Sequence, residues 1–297
     1  MLEPPRNKPV RAVLDTDTYN EVDDQFALAY SILAPEHITL EAVYAAPFKN
    51  NRAASPGEGM EKSFEEILRI LDFLGVEAEG KAFKGSKDYL ASWEEPRESD
   101  AVSDLIERAR TASPEAPLYV MAIGAITNVA SAFLLAPDII RNVVLIWLGG
   151  KDIFHDDAFE FNLKQDWHAS RLVFDCGVPL VIYPTMNVTS HLLTTVAELR
   201  CWLGGHNALC DYLVDIVSEY VGDADPVAWS KVIWDIAAPS WLIDANWTVS
   251  QLDHAPILNR DFTWAKERHS HKICMARYIR RDSVFRDLFY RLRSFSK

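Results

Sequence analysis

The segment Val13-Leu-Asp-Thr-Asp-Thr-Tyr-Asn-Glu-Val-Asp-Asp-Gln25 constrains this chain more than any other. An apolar run, Ala12-Val-Leu14, ends in Asp15 and Asp17. After five intervening residues come Asp23 and Asp24, then the apolar Phe26-Ala-Leu-Ala-Tyr30. That succession predicts a strand, a loop and a helix, with Val22, Phe26, Ala29, Tyr30 and Leu33 on one helical face. Asp15 and Asp17, two apart on an extended chain, are expected to point the same way. Asp23 and Asp24 fall in the first helical turn, where the helix dipole favours negative charge, but that accounts for one or two carboxylates rather than four. Unit charges a few Å apart repel by about 4 kcal/mol at an effective dielectric near 20, so a converging cluster calls for a cation. Carboxylate oxygens are hard ligands and favour Ca2+ or Mg2+ over zinc. The plain alternative is a set of solvated turn and cap residues. Position weighs against it, because open α/β sheets bind ligands at the C-terminal ends of their strands.

Further along, Ile38–Ala46, Leu118–Ile123, Val143–Leu148 and 178–183 read as strands, separated by helical patterns at about 59–74, 101–111, 127–135 and 167–176. Residues 193–220 look helical around Gly204-Gly205, as does Asp235–Ile243. Weaker strands near 253–258 and 272–279 precede a last helix with Val284, Leu288, Leu292 and Phe295 buried. Lys81–Asp100 is charged and aperiodic, the best candidate for a mobile loop near a site. The alternation predicts an α/β fold, a mostly parallel open sheet with helices on both faces. No repeat or low-complexity linker interrupts it, so one domain over 1–297 is expected.

A net charge of −13 makes nucleic-acid polymers and anionic membranes poor partners. The arginines near the C-terminus (Arg280, Arg281, Arg286, Arg291, Arg293) are expected to form the solvated face of the last helix. The four cysteines are scattered and suggest neither a disulfide framework nor a zinc site. Neither a signal core nor a membrane-length apolar run is present, so a cytoplasmic protein acting on small molecules is expected.

Taken with later segments, the acidic loop resembles that of the nucleoside hydrolases, the calcium-dependent N-ribohydrolases. Their first strand ends in Asp-x-Asp, a short loop and Asp-Asp, here Asp15, Asp17, Asp23 and Asp24. Gly124-Ala-Ile-Thr-Asn-Val-Ala130 is similar to the family's Gly-Gly-x-Thr-Asn-x-Ala. Glu160-Phe-Asn162 matches its sugar-binding triplet, Asp235 stands at its metal-binding Asp, and Arg268-His-Ser-His271 resembles the corresponding C-terminal region. The resemblance runs nearly end to end. It implies Ca2+ held by Asp17, Asp24, the Thr127 carbonyl and Asp235, with Asp17 as general base toward water. Asp23, Asn162 and Asp235 would hold ribose 2′- and 3′-hydroxyls and Glu160 the 5′-hydroxyl, with Asn50 also reaching the sugar. The implied activity is hydrolysis of a ribonucleoside or related ribosyl compound, in base salvage, by a homo-oligomer (dimer or tetramer).

Three departures stand out. The loop Thr18-Tyr-Asn-Glu-Val22 is longer than the common form, and the family's glycine-asparagine is replaced by the region of Phe154-His155-Asp156. Trp234 takes the place of a histidine that protonates the leaving base in many members. A stacked aromatic is then the expected aid to departure, from Trp234, Trp147, Trp93 or Tyr89, with His155 and His206 as alternative acids. Two other functions compete. Asp15-Thr-Asp17-Thr18 also resembles the opening of haloacid-dehalogenase-type Mg2+ phosphatases, with Asp15 as nucleophile. A non-catalytic nucleoside- or sugar-binding protein on the same scaffold would also accommodate Trp234.

Overall fold

A computed structural model describes residues 2–296 apart from 6, 223, 224, 226, 267 and 268. Apolar, β-rich segments form β1 (Val10–Thr16), β2 (Ile38–Ala45), β4 (Leu118–Ala122), β5 (Val143–Leu148) and β6 (Leu180–Tyr183), which are largely buried, with the short β3 (Ala82–Lys84) half-buried at the sheet edge. Two short strands, β7 (Leu193–Thr194) and β8 (Lys231–Val232), pair with each other outside this sheet. Next come β9 (Thr248–His254), a small ribbon of β10 (Ile257–Leu258) and β11 (Trp264–Ala265), and β12 (Lys272–Ile279). The eight-stranded sheet runs β3-β2-β1-β4-β5-β6-β12-β9, parallel throughout except for β9 against β12.

Helices cover both faces, as the alternating pattern requires. Leu14 and Val43 pack into one core with α1 (Asp24–Ile32), α2 (Pro56–Leu74), α7 (Val196–Trp202), α8 (Ala208–Tyr220), α9 (Ala237–Asp244) and α10 (Arg281–Ser294). Val13 and Tyr44, one step along each strand, face the other core with α3 (Asp100–Arg110), α4 (Thr127–Leu135) and α6 (Trp167–Asp175). A short α5 (Phe161–Gln165) precedes α6.

Strand order reverses at β1, since β2 and β3 lie on one side of it and β4, β5 and β6 on the other. A crevice therefore opens between the C-terminal ends of β1 and β4, the usual ligand position in such sheets.

Two expectations need correction. Lys81–Asp100 is no free loop: it contributes β3, and Ser86 N and Leu90 N donate to Asn128 Oδ1 and Asp166 Oδ2 on the neighbouring helices. A three-residue edge strand is too short to show a period. The strand expected near 253–258 begins earlier, at Thr248, and runs antiparallel along the sheet edge, where five of its seven residues are solvated and hide the apolar signal. Arg268 lies outside the described residues.

Candidate active site

A cavity of about 260 Å³ occupies the crevice. Residues after β1 and around the turn 234–236 supply Asp17, Asn20, Glu21, Asp23, Asp24, Trp234 and Asp235. Segments after β5 and β6 add Lys151, Phe159, Glu160, Phe161, Asn162, Thr185 and Met186. The four aspartates are buried, at 1% exposure for Asp17, 2% for Asp23 and Asp24, and 4% for Asp235.

The loop after β1 is built to aim these acids inward. β1 ends at Thr16, and the Asp17 carbonyl accepts the Asn20 N–H at 2.7 Å, turning the chain away from the sheet. Asp17 lies against Gly124, where a Cβ would come within 3.0 Å of the Asp17 Cγ. Glycine at that position makes room for the carboxylate. Asp23 precedes α1 without capping it: its side chain accepts no bond from the helix N-terminus. One Asp23 oxygen instead accepts the Trp234 N–H at 3.0 Å and the other faces Lys231 Nζ at 3.3 Å. Thr16 donates to Asp24. Asp235 caps neither the turn that contains it nor α9. The explanation that these acids merely cap helices therefore fails for Asp23 and Asp235.

Their charges are in conflict. Burial, then Asp23, pushes the Asp24 carboxyl up to about 7. Burial, then Asp24 and Asp23, raises Asp17 and Asp235 well above the ordinary carboxylate range. Oxygens of Asp23, Asp24 and Asp235 lie within 4.8 Å of one another, and the buried Asp17 Oδ2 accepts no hydrogen bond. These three hard, buried carboxylates, with the orphaned Asp17 oxygen in the same cavity, suit a divalent metal ion.

Glu160 and Asn162 are held rigidly. Glu160 caps α5, its carboxylate accepting the N–H of Asn162 and Leu163 at 3.1 Å each and of Gly150 at 2.8 Å. Gly150 sits at φ +70°, a conformation that favours glycine. Burial still raises the Glu160 carboxyl, with those donors opposing it. Both Asn162 amide donations, to the carbonyls of Ile123 and Leu148 at 3.0 Å, clamp the ends of β4 and β5 together. That leaves Oδ1 to the cavity.

Other residues fall elsewhere. Asp15 turns to the opposite face of β1, its carboxylate accepting Asn128 Nδ2 at 2.7 Å; Asp17, already past the end of the strand, does not share its direction. Burial lifts Asp15 to about 7. It does not line the cavity, which deprives the phosphatase alternative of its nucleophile. Thr127 opens α4 and spends its hydroxyl on Asp166 at 2.8 Å. Asn50 stands behind the lining, donating to Asn20 Oδ1 at 2.7 Å. Trp147 is fully buried in the second core, where its indole donates to the Gly124 carbonyl at 3.2 Å. Trp93 stacks near Trp167 at 6.1 Å, and Tyr89 bonds Gln165. Neither these two nor His155, His206, His269 or His271 lines the cavity, so Trp234 is the one expected aromatic that does.

Sequence reasoning missed Lys231, whose partners lie more than 200 residues away, and the aromatics Phe159 and Phe161 that flank Glu160. The Phe-Glu-Phe triplet was the available signal for the latter. A second cavity, of about 250 Å³, follows the outer side of α10 between Arg281, Arg286 and Arg293 and carries none of the aspartates above.

Fold and site together define an α/β protein with an acid-lined, metal-ready pocket at a sheet switch point. Residues 12–273 match the family described as inosine-uridine preferring nucleoside hydrolase, and the chain belongs to that family of N-glycosyl hydrolases. A probable uridine nucleosidase 2 from Arabidopsis thaliana is 26% identical over 71% of this chain and 69% of the relative. A purine-preferring ribonucleoside hydrolase from Gardnerella vaginalis superposes with a TM-score of 0.77 at 18% identity, covering 95% of this chain and 98% of that one. An inosine-uridine preferring nucleoside hydrolase from Bacillus anthracis gives 0.72 at 14% identity, covering 97% and 100%. Those two likenesses show the shared fold. No described helix is long and apolar enough to cross a membrane.

Proposed function

We propose that this protein hydrolyses the N-glycosidic bond of a ribonucleoside, or a related ribosyl compound, in a calcium-dependent reaction. The observation that carries the reading is the convergence of Asp17, Asp23, Asp24, Asp235, Glu160 and Asn162 on one cavity at the switch point. Asp17, Asp24 and Asp235 would hold the ion. When bound, the ion supplies positive charge and lowers the pKa of a coordinated water.

Asp17, with its orphaned Oδ2, takes the proton of the attacking water as general base. Asp23, Asn162 Oδ1 and Asp235 accept ribose 2′- and 3′-hydroxyls, and Glu160 accepts the 5′-hydroxyl. As the base departs, the sugar acquires oxocarbenium character, and the surrounding carboxylates are already oriented to stabilise it. Trp234 and Phe159, both lining the cavity, offer apolar faces to the leaving base in place of a histidine acid. Segments after β1 and β5 and the turn after β8 meet in this single cavity, which supports reading the chain as one domain.

The test is reducing-sugar release from a nucleoside panel by the wild type, by Asp17→Ala, and by wild type with chelator. Release abolished by both treatments is expected. Wild-type release that persists under both overturns the mechanism.

A further inference from the structure

Lys231, on β8, is only 5% exposed, an unusual place for a lysine. Its ammonium donates to Glu21 Oε2 at 2.5 Å, to the Val232 carbonyl at 2.8 Å and to Asp23 Oδ1 at 3.3 Å. Glu21 belongs to the long Thr18–Val22 loop. Burial opposes the charge on Lys231, but Asp23 and Glu21 outweigh it and keep the ammonium protonated. The second Asp23 oxygen is taken by the Trp234 N–H. Both oxygens of Asp23 are thus engaged on the side of β8 and the turn 234–236, although Asp23 sits close enough to Asp24 and Asp235 for all three to grip one ion.

We infer that Lys231 is a positioning residue that withholds Asp23 from the metal and keeps it as an acceptor for a substrate hydroxyl. This rests on the hydrolase reading above. Without the ammonium, Asp23 loses its counter-charge and turns to the dication. Calcium then gains a carboxylate ligand, and its affinity rises with ligand charge, while the sugar loses an oriented acceptor.

The experiment is calorimetric titration of the chelator-stripped full chain with CaCl2, alongside steady-state kinetics on inosine and uridine. Lys231→Met is expected to bind calcium about tenfold more tightly and to raise KM by about tenfold, with a smaller change in kcat. Lys231→Arg, which keeps the charge, restores wild-type calcium affinity. A Lys231→Met protein with unchanged or weaker calcium affinity, beside a wild type that binds the ion, overturns this inference alone. A wild type that binds no calcium overturns the hydrolase reading and this inference together. If Lys231→Met does not fold, Asp23→Asn and Asp24→Asn decide: a much smaller loss of calcium affinity in Asp23→Asn supports the inference, and equal losses overturn it.

Discussion

Chelator-treated protein is expected to lose stability as the pH rises from 5 to 8, and calcium to reduce that loss. Asp24 makes the magnitude concrete. Burial, then the charge of Asp23, lifts its carboxyl from 3.8 to about 7, so between those values the folded chain keeps a proton that the unfolded chain has released. Stability is therefore full at about pH 4 and lost progressively up to about pH 7. At 1.36 kcal/mol for each pH unit, this one residue removes about 4 kcal/mol over the whole interval, of which about 3 kcal/mol falls between pH 5 and 7. Asp17 and Asp235 are raised by burial and neighbouring acids, so they act in the same direction. Melting entropies near 2.1 cal/mol/K per residue make 4 kcal/mol worth about 6 °C in a chain of this length. Ligated acids are ionised across the range, so calcium is expected to remove their share of the loss and to leave that of Asp15, whose carboxyl stands at about 7 outside the cavity. Calcium at 100 times its Kd adds about 2.7 kcal/mol. Thermal melts followed by circular dichroism at pH 5, 6, 7 and 8, in EDTA and in CaCl2, measure both effects. A chelated protein whose melting temperature holds or climbs from pH 5 to 8, or a calcium increment that does not grow with pH, refutes the reasoning.

Trp147→Phe leaves the Gly124 carbonyl without its indole donor and is expected to cost about 1–3 kcal/mol in urea unfolding, with KM unaltered; a raised KM would return Trp147 to the substrate. Asn162→Ala frees the carbonyls of Ile123 and Leu148. About 2 kcal/mol of lost stability, together with a raised KM, is expected, and a change in only one of these would separate clamp from ligand. Gly124→Ala brings a Cβ to 3.0 Å from the Asp17 Cγ. Calcium affinity and turnover are expected to fall together while the melt of the chelated protein moves by less than about 1 kcal/mol; unchanged turnover would show that Asp17 has room to spare.

What was legible in the sequence was local. The β1-loop-α1 unit is read from a contiguous apolar-acid-apolar succession, and the parallel sheet from strands alternating with helices. Glu160 and Asn162 stood out because their triplet is compact. Asn50 and Trp147 were harder, because distance from a cavity is a tertiary property: one is screened from it by Asn20, the other faces the core from the strand preceding Gly149-Gly150. Asp15 illustrates the role of a strand end, since a single residue past Thr16 suffices to break the alternation that would have aligned it with Asp17. Lys231 carries no local signal whatever. Its meaning arises only when β8 is brought beside the loop after β1.

The Asp23–Trp234 bond joins residues 211 positions apart, and β9 finds its sheet partner only in β12. During synthesis the acids after β1 therefore emerge long before anything exists to close the pocket over them. Until Asp235 has left the ribosome, the growing chain presents Asp17, Asp23 and Asp24 to water, where they are ionised and mutually repelled at little cost. Only the arrival of the last quarter of the polypeptide drives them into a dry enclosure. Capture of a metal ion by this cluster would then coincide with completion of the enclosure.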